Sequence, residues 1–303
     1  MANAMAVQRK EQRLDLTETS PRTGEFARFR RVFLGRPVVA FGLVVIVLLI
    51  IVAVFAPLVA PYHPYKQDLD NTLSSPGSKH LLGTDTVGRD TLSRIIYGTR
   101  TSLIVGVVAI GIAAGIGMAL GLTAGYLGGI TLQVIMRIID ALMTFPMILF
   151  ALTIAALLGS GLLNIVLALG IALISPYARL MCGQALTVKQ NDYVTAARAV
   201  GAGNLWIMVR HVFPNCFPPL IVLMTMQLGT TILAEAGLSF LGVGIRPPGA
   251  AWGAMVNEGY RYLLTNPILS FAPGLAIMLV VFAFSMVGDG LRDALDPRLR
   301  GTL

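Results

Sequence analysis

Six apolar runs govern what this chain of 303 residues can become. They lie near residues 38–56, 102–126, 135–158, 162–181, 215–237 and 269–288. Each approaches the roughly 20 residues that a helix needs to cross about 30 Å of hydrocarbon. Hydrophobic residues make up 55% of the chain and charged residues only 13%, too few polar side chains to clothe a soluble domain of this size. Hydrocarbon holds no water to satisfy a backbone amide, so runs of this kind must bond internally as helices. The expectation is an all-α integral membrane protein with six transmembrane helices.

Basic residues set the orientation, because cytoplasmic segments carry the excess of Lys and Arg. Residues 1–36 hold Arg9, Lys10, Arg13, Arg22, Arg28, Arg30, Arg31 and Arg36, which predicts a cytoplasmic N-terminus. Six crossings bring the C-terminus, with Arg292, Arg298 and Arg300, back to the same side. A long connection with Arg179, Lys189, Arg198 and Arg210 falls inside as well. The net charge of +8 therefore sits where anionic lipids are and calls for no nucleic acid partner. Phe26, Phe29 and Phe33 recur at helical spacing against Arg28, Arg30 and Arg31, the pattern of an interfacial elbow helix. The chain then divides into a cytoplasmic tail (1–36), a first span (37–57), an extracytoplasmic loop (58–101) and a core (102–303) with five spans and a cytoplasmic insert at 182–214.

That insert is polar helix, glycine, helix. Asn191 or Asp192 can cap a first short helix rich in Ala196, Ala197 and Ala199, and Gly201 permits the left-handed turn that ends it. Asn204 can cap a second, which Pro214 is expected to stop. A loop of this kind can hold two solvated helical turns and nothing more. Trp206 and its apolar neighbours argue instead for a docking surface, since exposure to water gains them nothing.

Glycines at 111, 115, 117, 121, 125 and 129 form small-xxx-small ridges on the second span, expected to bring another helix backbone close. Cys182 and Cys216 flank the insert and imply no disulfide framework. No G-x-x-x-x-G-K-[ST] occurs, so nothing here cradles a nucleotide's phosphates. His63, His80 and His211 are scattered without metal-ligand spacing, and no serine elbow is present. The chain is expected to be no enzyme and to bind no metal or cofactor of its own.

The insert resembles the EAA loop of ABC importer permeases. Where the general pattern is E-A-A-x3-G-x9-I-x-L-P, this sequence has Thr195, Ala196, Ala197, Gly201, His211, Phe213 and Pro214. Thr195, His211 and Phe213 depart from the pattern in the manner of the peptide branch. Three more stretches are similar to that branch: Leu82–Gly98, Leu238–Gly253, and Gly288–Pro297. The likeness, which runs from about Phe26 to Arg298, is to the C-type permease of the dipeptide/oligopeptide/nickel family. It implies the type I importer fold in a prokaryotic cytoplasmic membrane. It also implies four kinds of partner: a B-type permease, two ATP-binding subunits that carry ATP and Mg, an extracytoplasmic binding protein, and the lipid bilayer. The ATPase-coupling residues would be Asp192, Tyr193, Thr195, Ala196, Ala197, Arg198, Gly201, Trp206, Arg210, His211, Phe213 and Pro214. The implied cargo is a di- or oligopeptide, with nickel chelates, glutathione and other small solutes carried by related permeases.

Several polar residues inside apolar runs bear on the pathway. Glu235 costs on the order of 3 kcal/mol if left facing lipid, so it must face protein or water. With Gln227 and Thr231 it is a candidate pathway residue; the other reading is a paired structural acid. Arg137 and Asp140 suit a boundary pair, and Asp90 and Arg94 at i, i+4 suit a surface brace. Asp289, Asp293 and Asp296 suit a solvated helix end. Pro247, Pro248 and Trp252 fit either a packed cap or a docking surface. An alternative class, a proton-coupled secondary transporter, would use Glu235 and Asp140 as relays.

Overall fold

The computed structural model describes residue 33 and residues 35–295 apart from 247. The elbow expected around Phe26 and Phe29, Pro247, and the tail from Asp296 lie outside the described residues.

Among the described residues the chain is helical and has no strand. Its elements are α1 (Pro37–Val54), α2 (Ala56–Val59), α3 (Thr91–Leu127), α4 (Gly129–Met143), α5 (Met147–Leu158), α6 (Leu162–Ala172) and α7 (Ile174–Val188). There follow α8 (Asp192–Ala199), α9 (Asn204–Ile207), a π-helical turn (Met208–Val212), α10 (Phe213–Phe240), α11 (Trp252–Tyr260) and α12 (Ile268–Leu295).

Five stretches are long and apolar enough to span a membrane: α1, α3, α6 with α7, α9 through α10, and α12. The third expected span is not one rod. It is α4 and α5, bent by 90°. Pro146 causes the break, since it donates no backbone N–H and holds Phe145 away from helical geometry. The Thr144 hydroxyl takes up the Ala141 carbonyl (2.7 Å) as α4 ends.

The second span begins well before residue 102. Asp90 caps it, accepting from the Ser93 amide (2.8 Å) and the Ser93 hydroxyl (2.7 Å). At 1.5 Å per residue its 37 residues reach about 55 Å, longer than the hydrocarbon is thick. This helix is the post around which the bundle is built. Cβ atoms added at Gly117, Gly121 and Gly125 would lie 2.6 Å from the Ile174 carbonyl, 2.2 Å from that of Ala178 and 2.7 Å from that of Cys182. Backbone thus lies on backbone along three turns of α3 and α7. Gly111 and Gly115 face open space, so only the later part of the glycine ridge serves this contact. Gly42 brings α1 onto α12 in the same way, and Arg36 pairs with Asp293 where these helices meet.

At the end of the bundle opposite the insert, loop 60–90 and α11 close a cap over buried charge. Arg94, 1% exposed, donates through Nη1 to Asp85 (2.5 Å) and Glu258 (2.8 Å). Arg89 Nε meets the same Asp85 oxygen at 2.6 Å. Two arginines against two carboxylates leave the cluster neutral, which is what makes its burial tolerable. The i, i+4 brace expected between Asp90 and Arg94 does not form. Asp90 is committed to capping α3 and to His80 (2.9 Å), because both residues are interior rather than on a surface. Trp252 packs the cap: it is buried against Gly98 and donates to the Ile95 carbonyl at 3.0 Å.

Gly121→Ala should destabilise the protein by about 1–3 kcal/mol through overpacking against α7. Gly115→Ala, facing open space, should be neutral or stabilising. Thermal unfolding of both variants in detergent reads the contrast, and equal effects would show that the α3–α7 contact is not close-packed.

Candidate coupling face and translocation cleft

The insert folds largely as its glycine requires. Gly201 sits at φ +84°, its amide reaching the Arg198 carbonyl (2.9 Å) while Ala202 reaches back to Ala197 (3.1 Å). Paired bonds of this kind close a helix through a left-handed residue. The expected side-chain caps are absent. Asn191 donates to the Tyr193 hydroxyl (3.2 Å) instead of holding a helical amide. Gly203 is the residue that caps α9, and the Asn204 side chain accepts from the Tyr126 hydroxyl at 3.1 Å.

Pro214 does not stop the second helix. Across Met208–Val212 the backbone widens into a π turn, in which the Phe213 amide bonds five residues back to Met208. Pro214 then falls in the first turn of α10, where its fixed φ suits the helix and its missing donor costs one backbone bond. Asn204–Phe240 consequently runs as one stretch of 37 residues, so that the insert's second helix is mechanically part of a membrane span.

The insert has two faces. Val194, Ile207 and Val212 are fully buried in a core with Tyr126, Tyr177 and Met181. The outer face is apolar yet open: Val200 is 83% exposed, Leu205 73% and Trp206 53%, with Tyr193 and Val209 beside them. Trp206 stands edge-on to His211 (centroids 4.7 Å), and Tyr193 approaches the same imidazole at 6.2 Å. These rings, with Ala196 and Ala197, wall a shallow groove of about 440 Å³. Thr195, Arg198, Arg210 and Pro214 are also exposed, while Phe213 is half-buried against Phe217.

A larger cleft of about 800 Å³ opens within the membrane-spanning part. Its wall is the α4–α5 bend around Phe145 and Met147, the α6–α7 junction at Ser175, the α10 face with Gln227 and Thr230, and Ser285 and Asp289 of α12. Of the three residues expected to line a pathway, only Gln227 does. Thr231 and Glu235 are 0% exposed and turned away from it. Positions four apart drift about 40° around a helix at each step, so the ridge that starts on the cleft at Gln227 ends facing α3. There Glu235 accepts from Ser239 (2.7 Å), and Ile232 abuts Gly106. Asp140 pairs with Arg179 of α7 rather than with Arg137, which is exposed. The two acids expected of a proton relay thus belong to separate clusters, one sealed and one half-exposed in an ion pair.

The comparisons with known proteins bear directly on this arrangement. Residues 117–301 match the family described as binding-protein-dependent transport system inner membrane component. The chain belongs to that family. Residues 25–76 match the N-terminal TM domain of oligopeptide transport permease C. The permease is 44% identical over 275 residues to the glutathione transport system permease protein GsiD of Escherichia coli O157:H7, covering 90% of this chain and 89% of that one. The protein of the same name from Shigella flexneri serotype 5b (strain 8401) is 45% identical over the same length. Among solved structures, the inward-facing MetNI methionine ABC transporter aligns with 67% of this chain and 97% of its own, at a TM-score of 0.54 and 17% identity. That likeness gives the permease the importer fold. It is a multi-pass inner-membrane subunit, and the transport permeases it resembles are non-catalytic.

Val194→Ser, at a fully buried position, should lower the permease's stability by about 2 kcal/mol or more. Trp206→Ser, on the open face, should change it by no more than about 0.5 kcal/mol. Denaturant unfolding in detergent separates them, and a large loss with Trp206→Ser would mean that its ring holds the insert together.

Proposed function

We propose that the permease forms half of a peptide-conducting pathway and that its open apolar face is where an ATP-hydrolysing subunit docks. One observation carries this reading: Leu205, Trp206 and Val209, apolar and exposed, sit on a helix continuous with α10, which also lines the cleft. A monomer gains nothing by holding such a patch in water, and aromatic anchors ringed by neutral contacts are what protein interfaces use. The coupling residues would then be Asp192, Tyr193, Thr195, Ala196, Ala197, Arg198, Gly201, Trp206, Arg210, His211, Phe213 and Pro214. Closure of two ATP-binding subunits, which supply ATP and Mg, would push α8 and α9. α10, which continues from α9 and holds Pro218 and Pro219 before Gln227, would carry that displacement to the Gln227 and Thr230 wall of the cleft. The insert end would be cytoplasmic, as the basic residues require. A B-type permease would complete the pathway and an extracytoplasmic binding protein would deliver the solute.

For the cargo we propose small peptides, glutathione among them, by analogy with the GsiD relatives. The cleft wall supports this chemistry. Gln227, Thr230, Ser175 and Ser285 offer hydrogen bonds to amides, Met143, Met147 and Phe150 offer apolar surface, and Asp289 offers a carboxylate to an ammonium group. No histidine or cysteine lines it, which disfavours a bare metal ion as cargo.

Replacing Trp206 and Val200 by aspartate should abolish co-purification with the ATP-binding subunits. An interface anchor of this kind contributes about 2 kcal/mol or more, at least about thirtyfold in affinity. Normal assembly of the double variant would refute the docking surface. Uptake of labelled glutathione and of a dipeptide by the reconstituted importer tests the cargo, and indifference to both would exclude it.

A further inference from the structure

We infer that Tyr126, which lies outside every coupling motif, is a positioning residue that fixes the angle between the two insert helices and ties both to α3. The residue is 4% exposed, in the last turn of α3. Its hydroxyl donates to Asn204 Oδ1 of α9 at 3.1 Å. Its ring lies under the Arg198 guanidinium of α8, 5.0 Å from centroid to Cζ. One side chain therefore touches both sides of the Gly201 turn.

The turn needs such a tie. An added Cβ at Gly201 or at Gly203 would meet nothing within 4 Å, and the expected side-chain caps of α8 and α9 are both missing. Val194, Ala197, Ala202 and Ile207 pack beside the turn, while no side chain of its own ties the two helices together. Asn204 gives up its capping role to accept the Tyr126 hydroxyl, and Gly203 stands in the cap position. The other end of the tie is firm. Gly125, one residue earlier, is pressed against the Cys182 carbonyl of α7, and its own carbonyl accepts from Lys189 at 2.7 Å. A push on α8 is thereby delivered to α9 as a rotation of the pair about Tyr126, not absorbed by the glycine turn.

This inference rests on the docking reading above, and its test uses the complete importer reconstituted in liposomes. Tyr126→Phe keeps the ring under Arg198 and deletes the hydrogen bond; Asn204→Ala deletes the same bond from the other side; Tyr126→Leu deletes bond and ring contact together. Each of the first two should lower solute transported per ATP by about fivefold, the equivalent of one net hydrogen bond, with co-purified ATP-binding subunits and basal hydrolysis unchanged. Tyr126→Leu should lower it further. The Tyr126→Phe, Asn204→Ala double variant should be no worse than either single variant, since both remove one interaction. Unchanged coupling in Tyr126→Phe, or additive losses in the double variant, would overturn the proposal, even if Tyr126→Leu fails to fold. The docking reading fails separately, if aspartates at Val200 and Trp206 leave assembly intact.

Discussion

Everything in this permease hangs on the approach of α3 to α7 with no side chain between them at Gly117, Gly121 and Gly125. Inside a bilayer, apolar side chains gain nothing by leaving lipid for protein, so helices associate where backbones can come close enough for many dispersion contacts. The sequence concentrates that contact in the last third of α3. As a result the end of α3 nearest the insert is held backbone to backbone against α7, and Tyr126, Lys189 and the buried side of the insert are all referenced to it. Helices α1 and α12 repeat the device around Gly42, which fixes the periphery without a polar bond in the hydrocarbon.

The two ends of the bundle solve opposite problems. At the cap, Asp85, Arg89, Arg94 and Glu258 form a neutral cluster that is strongly coupled and largely dry, and a buried pair of this sort is costly to break by removing one partner. That cluster ties loop 60–90 and α11 over the ends of the spans opposite the insert. At the insert, by contrast, the outer face is apolar and open, its polar links to α3 are one hydroxyl and one ring, and Val194, Ile207 and Val212 hold its inner face in an apolar core. On the proposed docking reading, buried charge at one end and apolar packing at the other would make the insert the place where an applied force produces movement.

The class, the number of apolar stretches and the insert's glycine turn were legible because each depends on local composition. The α3–α7 ridge was legible as a spacing, although spacing alone did not say which of its glycines would be used. What failed was whatever depended on a partner distant in sequence. Asn204 reads as a cap until Tyr126, 78 residues away, is seen to claim its side chain. Asp140 reads as a partner for Arg137 on its own helix until α7 presents Arg179. Pro214 reads as a stop because the rule for proline assumes an α-helical register, and the π turn before it removes that assumption. The cleft was invisible for the same reason: Phe145, Gln227 and Asp289 come from three separate stretches that meet only in the fold.

The π turn is also where the mechanical argument closes. A proline inside an α-helix removes one backbone bond and favours a kink, as Pro218 and Pro219 do further along α10. Widening the preceding turn to a five-residue bond keeps the backbone hydrogen-bonded from Met208 into Phe213, and the stretch Asn204–Phe240 stays helical through Pro214. Single π turns of this sort cost some stability relative to an α-helix and are found mostly where function requires them. On the proposed reading the requirement here is transmission. The exposed ring of Trp206 and the polar wall at Gln227 and Thr230 lie on one helical stretch, with Pro218 and Pro219 between them, and on the proposed reading displacement at one would be passed to the other.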